Sequence, residues 1–279
     1  MILIADSGST KTDWVLTGEE SLTIQTQGIS PVHQDEAVIR RILFDELLPQ
    51  LAQRQHVVET VCFYGSGCTP QHIPMVERLL RVAFPKATHI EVQSDLVGAA
   101  RALCGRREGI ACILGTGANS CLWDGGRIVQ NTPALGYILG DEGSGAVLGR
   151  MFMNAIFKNP ELSALRDLYL SENGLTMADI INKVYRQPMA NRFLASTSLF
   201  ISQHLDVEEL RLLVVDNFRR FFRCNIVPYG RYGLPVHFVG SMAHHYAEQL
   251  REAAAAEGFR VGIIEKSPLS GLLHYHSAG

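Results

Sequence analysis

No Cys-x-x-Cys pair occurs anywhere in the 279 residues. The six cysteines (Cys62, Cys68, Cys104, Cys112, Cys121 and Cys224) are scattered, which argues against a structural zinc site. There is no long run of Lys or Arg, and the formal net charge is −3, so neither nucleic acid nor an anionic membrane is an expected partner. No apolar run approaches the length that spans a bilayer. No charged segment precedes a signal-type stretch, and no small-residue cleavage site follows one. The expected location is the cytoplasm, where scattered thiols stay free and mostly buried. What remains is ordinary for a soluble globular protein: 47% hydrophobic and 19% charged residues, enough chain for one large domain or two medium ones.

The chain is organised around its opening stretch. Ile2 to Ala5 has the length and residue types of a buried strand, and Asp6 stands where it should end. Gly8 permits a sharp turn, and Ser7, Ser9, Thr10 and Thr12 offer hydroxyls beside exposed backbone N–H groups. Lys11 adds one positive charge. Convergent N–H groups can hold phosphate without a helix behind them. Asp6 is then near enough to serve Mg²⁺, which prefers a carboxylate with waters and phosphate oxygens. Taken alone, the turn is equally a polar hairpin.

Asp13 to Leu16 and Leu22 to Gln27 continue as strands around the turn Gly18-Glu19-Glu20, and Gly28-Ile29-Ser30-Pro31 breaks the sheet. Helical spacing runs from about Asp35 to Gln53, with Pro49 expected to kink or divide it. Thr60 to Tyr64 is a short strand ending in Gly65-Ser66-Gly67. Pro70 opens a helix through Ala83, and Thr88 to Val92 is a strand. Ser94 is a plausible N-cap that sets Asp95 in the first helical turn. A carboxylate there also complements a helix dipole, and that reading suffices for Asp95 alone. Gly98, Ala99 and Ala102 make this helix thin on one side.

A second meander begins at Gly109. Ile110 to Leu114 is a buried strand, Gly115-Thr116-Gly117-Ala118-Asn119-Ser120 a turn, and Cys121 to Asp124 a strand. Arg127 to Asn131 follows the hairpin turn Gly125-Gly126. The two meanders superpose in sequence: Gly8 is six residues before Trp14, and Gly117 is six residues before Trp123. This echo predicts two related halves, each a β-β-β-α-β-α unit.

Ala134 to Gly145 is rich in glycine and holds Asp141 and Glu142 among apolar Tyr137, Ile138 and Leu139, which suits a packed loop at a site as well as a flexible one. Helix should follow to about Phe157. Pro160 to His204 reads as short helices, an outer layer or lid. Val207 to Val227 is a long helix, Pro235 to Val239 a strand, and His244 to Ala256 a helix after Gly240-Ser241-Met242-Ala243. Strand, Gly-Ser turn and helix make a nest suited to an anionic or nucleotide ligand. His244 and His245 point apart on a helix, with no Asp or Cys partner nearby in sequence, so a metal there is not expected. Arg260 to Ile264 is a strand, and a terminal helix starts at Ser267-Pro268-Leu269.

Together, Asp6 to Thr12, Asp95-x-x-Gly98-Ala99, Gly115 to Ser120, Leu139 to Ser144 and Val239 to Ala243 resemble the acetate and sugar kinase, heat-shock ATPase and actin superfamily. The closer resemblance is to the BadF/BadG/BcrA/BcrD ATPase-type family, which includes N-acetylglucosamine kinases. It covers nearly the whole chain in the right order. The resemblance implies an α/β fold of two ribonuclease H-like lobes, an actin-like ATPase fold with an interlobe cleft. The lobes would be residues 1–108, with the terminal helix 267–279 packing back, and residues 109–266 with a helical insertion. It implies ATP and Mg²⁺ as cofactors, with Ser9, Thr10 and Lys11 on the phosphates and Thr116 and Gly117 opposite them. Gly240, Ser241 and Met242 would border the adenosine. Asp6 would serve the metal, Asp95 would be the general base, and Ser30, Asn119, Gly136 and Asp141 would line the sugar site. Homodimerisation is implied by the likeness alone.

The family's kinases tend to carry Asn-Pro where this chain has Ser30-Pro31, so the identity of the sugar is open. Activators of 2-hydroxyacyl-CoA dehydratases share the fold but hold an iron–sulfur cluster through cysteines. Cys112 and Cys121 fall in expected buried strands, and Asn119 suits a polyhydroxylated substrate, so a sugar kinase is the favoured reading. A regulatory ATPase with no acceptor is the third class.

Overall fold

The computed structural model describes residues 1–8, 10–18 and 21–277. Of the expectations above, Ser9, the Glu19-Glu20 turn and the last two residues of the terminal helix lie outside the described residues. The chain divides into two compact units, Met1–Arg106 with Pro268–Gly279, and Arg107–Ser267.

In the first unit β1 (Ile2–Ser7), β2 (Lys11–Leu16) and β3 (Leu22–Gln27) form the expected meander. α1 (Glu36–Arg41) passes through a π-helical stretch, Ile42–Leu47, into α2 (Leu48–Leu51). The missing N–H of Pro49 falls just after that stretch, so the division expected there is made by a change of helical winding. Next come β4 (Thr60–Gly65), α3 (Ile73–Ala83), β5 (His89–Ser94) and α4 (Asp95–Cys104). α3 starts later than Pro70 because Pro74 takes the first-turn position. The strand order is β3-β2-β1-β4-β5, with β1 antiparallel to β2 and parallel to β4. Trp14 and Phe63 meet in its core with ring centroids 5.7 Å apart.

The second unit contains β6 (Gly109–Leu114), β7 (Ala118–Trp123), β8 (Ile128–Asn131), α5 (Gly136–Leu139) and α6 (Gly145–Lys158). α7 (Ser163–Asn173), α8 (Met177–Tyr185), α9 (Ala190–Gln203) and α10 (Glu208–Phe221) follow. β9 (Val236–Val239), α11 (Ser241–His245), α12 (Ala247–Ala256) and β10 (Val261–Glu265) complete it. The helix expected from His244 is two helices, because Tyr246 leaves the helical conformation and turns its buried ring onto Phe218. The strand order β10-β9-β6-β7-β8 repeats that of the first sheet, reading each from its fifth strand to its third. The two meanders that echo in sequence therefore head two α/β sheets of one topology.

The chain ends in α13 (Leu269–Ser277), which packs on α4 and β1 of the first unit. Gly271 makes this possible: a Cβ there would stand 2.4 Å from the carbonyl oxygen of Ala102. Gly98 plays the same part underneath, where a Cβ would lie 2.9 Å from Tyr64 Cβ. Both contacts use the thin side of α4. A polar network closes the joint. Arg101 binds Glu91 through both terminal nitrogens, at 2.7 and 2.9 Å, and donates to the Tyr64 hydroxyl at 2.7 Å. That hydroxyl lies 2.8 Å from Nε2 of His276 on α13. Among the described residues, no helix is long and apolar enough to cross a membrane.

Candidate active site

The first turn is tighter and drier on one face than the sequence suggests. Gly8 donates to the carbonyl of Lys11 at 3.0 Å, closing the hairpin. Ser7 and Thr12 are buried, their hydroxyls 2.6 Å apart, and both meet the backbone N–H of Ile29. The expectation that these two hydroxyls face a ligand is corrected: the period-two alternation of the strands turns them inward, where they fasten the hairpin to the Gly28-Ile29 break. Thr10 and Lys11 stay exposed.

The opposite face carries acids. Asp6 is the last residue but one of β1 and stands directly across the ladder from Asp13. Asp95 opens α4 under the Ser94 N-cap and accepts the N–H of Leu96 at 2.9 Å. Burial pushes the Asp6 carboxyl up to about 7, and the charges of Asp95 and Asp13 push in the same direction, with Lys11 partly offsetting them. Burial also pushes Asp95 up to about 6, against the backbone N–H groups that favour its charged form. Asp6 and Asp95 thus come together at the ends of β1 and β5. Ser30 lies against the Gly65–Gly67 turn: it is 4% exposed, and its Oγ lies 3.1 Å from where a Cβ on Gly67 would stand. Gly67 has φ +79°, so a side chain there would meet both backbone strain and Ser30.

Mg²⁺ fits this donor set. Two partly buried carboxylates repel each other, and the nearest cation, Lys11, is held 2.7 Å from Asp13. Among the described residues no three metal-ligating side chains cluster. Mg²⁺ commonly keeps its waters and takes one or two carboxylates plus phosphate oxygens, so Asp6 with a nucleotide suffices.

In the second unit, three glycine turns converge at the ends of β6 and β9. Gly115 accepts from the N–H of Gly145 at 2.8 Å, and Thr116 from that of Ala146 at 3.2 Å, so the Gly115–Gly117 turn sits against the start of α6. Gly240, at φ +123°, presses on the end of β6, where a Cβ would lie 2.3 Å from the carbonyl of Leu114. Ser241 is exposed beside it. Met242 is a core residue, 3% exposed, with its sulfur against Gly145, so only its backbone is free to border a ligand.

Asp141 lies over Gly117, and the backbone of Ala118 and of Gly136 favours its charged form, while burial first and then Glu142 raise its pKa to about 6. Gly136, at φ +75°, opens α5 in the exposed loop that Asp141 closes by donating to the carbonyl of Ala134. Asn119 points its Oδ1 at Nδ2 of Asn131, 3.0 Å away, and at the N–H of Ser120. Its Nδ2 has no partner among the described residues. Thr116, Gly117, Asn119, Gly136, Asp141 and the Gly240 turn therefore occupy one end of the second sheet.

Sequence reasoning missed several neighbours. Asp13 faces Asp6, which the hairpin register alone could have revealed. Cys68 lies near enough to Asp95 to feel its charge, and Asn217 supports the start of α6 from the long helix α10. Neither contact leaves a signal in local sequence. Cys104, Cys112 and Cys121 are all buried, unlike cluster-ligating thiolates.

No family model and no curated protein matches the chain. Solved structures do. A candidate N-acetylglucosamine kinase from Porphyromonas gingivalis is 49% identical, with all of this chain and 99% of that one covered and a TM-score of 0.95. A second such candidate, from Chromobacterium violaceum, is 18% identical over 98% of each chain, with a TM-score of 0.74. A ROK family glucokinase from Streptomyces griseus, solved with glucose and AMPPNP, shares the fold at 15% identity, 99% coverage of each chain and a TM-score of 0.56.

Proposed function

The chain belongs to the sugar kinases of the actin-like ATPase fold, and from that premise we propose that it transfers the γ-phosphoryl group of ATP to a hydroxyl of an amino sugar, N-acetylglucosamine foremost. The observation that carries this reading is the placement of two partly buried carboxylates, Asp6 near the end of β1 and Asp95 just after β5, close enough that the charge of Asp95 raises the Asp6 carboxyl beside the glycine turn at Gly8. Phosphoryl transfer asks little more of a protein than charge neutralisation, in-line positioning and one carboxylate at the attacking hydroxyl. The name of the Porphyromonas gingivalis relative supports the choice of sugar, and Asn119 suits an acceptor with several hydroxyls. The motif order supports a BadF/BadG/BcrA/BcrD-type kinase.

In this reading Asp95 accepts the proton of the acceptor hydroxyl. Its seat at the first turn of α4, with the N–H of Leu96 on one oxygen, leaves the other oxygen for that proton. Thr10 and Lys11, with the exposed N–H groups of their turn, bind phosphate oxygens in this reading. The Thr116-Gly117 turn of the second unit has the same anion-binding chemistry. Gly240 lets the backbone approach the nucleoside, bordered by Ser241 and the main chain of Met242. Gly136, Asn119 and Asp141 orient the sugar in this reading, and Ser30 of the first unit offers a hydroxyl suited to the same kind of ligand. When bound at Asp6, Mg²⁺ supplies neutralisation of phosphate charge.

The experiment is ADP release measured against a panel of amino and N-acetyl sugars. N-acetylglucosamine should accelerate release above the basal rate. If no sugar does so, the kinase reading fails.

A further inference from the structure

Asp13 has no part in the chemistry above, yet it is the most connected carboxylate on the first hairpin. Lys11 and Asp13 alternate to the same face of β2, and the Lys11 ammonium lies 2.7 Å from Oδ2 of Asp13. Gln25 on β3, opposite Asp13 in the ladder, donates to Oδ1 at 2.7 Å. The acid is thus anchored, its side chain 16% exposed, while the lysine it holds is 57% exposed. Stability does not explain this arrangement. An exposed ion pair contributes little, and like charges directly opposite on antiparallel strands are unfavourable, as Asp6 and Asp13 are.

The consequence for Lys11 is specific. An ammonium has three donors and no acceptor. Asp13 engages it through Oδ2 and leaves donors free. Without Asp13, the next carboxylate on that face is Asp6, and a lysine paired there would occupy the anion that the metal needs.

We propose that Asp13 is a positioning residue: anchored by Gln25, it tethers the Lys11 ammonium at the mouth of the turn, off Asp6, with donors free for a phosphate oxygen of the nucleotide. This rests on the nucleotide site proposed above, and it assigns Asp13 no contact with substrate.

The test is the affinity of Mg²⁺–AMPPNP, measured by calorimetry without sugar, for the full chain and for Asp13→Asn, Lys11→Met and the double variant. Asp13→Asn should weaken binding about fivefold, and the double variant should bind no more weakly than Lys11→Met alone, because residues acting through one contact are not additive. Asp13→Glu should recover part of the loss. Gln25→Met, which keeps both charges and removes only the anchor, should weaken binding in the same direction, and it stands in if Asp13→Asn does not fold. Asp13→Asn within twofold of the unaltered chain, or losses that multiply in the double variant, overturns the tether. A purely structural role would lower the unfolding midpoint without this non-additivity. If the unaltered chain binds no nucleotide, both readings fail; if it binds and Asp13→Asn is indifferent, only the tether fails.

Discussion

The carboxylate of Asp141 lies 3.1 Å from the point where a Cβ on Gly117 would stand. The acid assigned to the sugar thus also covers the turn assigned to the phosphates. Gly117→Ala should push Asp141 off that seat and disturb both functions together. We expect the KM for ATP and for sugar to rise by about tenfold each, the cost of roughly one displaced polar contact. Steady-state kinetics with each substrate varied in turn checks this. A change in only one KM would separate the two sites.

Asp95→Asn keeps the shape of the side chain but cannot take a proton. Turnover should fall by roughly 10²- to 10⁴-fold, the usual contribution of a general base, with sugar affinity little changed. In the proposed mechanism Asp95 acts ionised. Because burial raises Asp95 to about 6, turnover should decline below that pH, by about tenfold per unit. A pH–rate profile whose acid limb survives in Asp95→Asn would remove Asp95 from this role.

Asp6 links stability to pH with a sign that can be worked out. Its carboxyl is raised from 3.8 to about 7, so the folded state holds a proton that the unfolded state releases between those values. Stability is therefore greatest below pH 4 on this account and is lost as pH rises through about 7. Asp6→Asn should stabilise the ligand-free protein at pH 8, on the order of 1–3 kcal/mol, and leave it unchanged at pH 4. Urea unfolding at the two pH values measures it. The same variant should lose Mg²⁺-dependent turnover while retaining sugar affinity; loss of sugar binding would instead reassign Asp6.

Glu91→Gln removes the anion that Arg101 grips with both terminal nitrogens. Arg101 is 14% exposed, and its Nε already has no partner among the described residues. A partly buried cation without its counter-ion should cost about 2–3 kcal/mol, somewhat less than a fully buried pair. Denaturant unfolding checks the figure, and proteolysis should show α13 released first.

Much of the architecture was legible because it repeats. Gly8 with Trp14 and Gly117 with Trp123 mark the same place in two sheets, and the strand orders coincide. Asp6 and Asp95 were legible from their positions at a strand end and a helix start. Directions were harder to read. Ser7 and Thr12 have the composition of ligand hydroxyls, but a single step of strand register turns them inward. Met242 sits in the right turn, yet its long apolar side chain finds the core. The break at Tyr246 arises from where its ring packs, which no local propensity records. The Arg101 network joins residues from β4, β5, α4 and α13, far apart in sequence, so only the folded chain brings it into view.

The docking of α13 on α4 and β1 also sets an order of events on the ribosome. The second unit is one continuous segment, residues 107–267, whereas the first takes its closing helix from residues emerging after that whole segment. Domains generally form as their residues appear, amino-terminal first. Here the earlier unit must wait, with Ile4, Cys62 and Tyr64 lacking their cover at Leu272 until the whole second unit has been synthesised. The unit whose residues are synthesised first is therefore sealed only by a helix that follows every residue of the other.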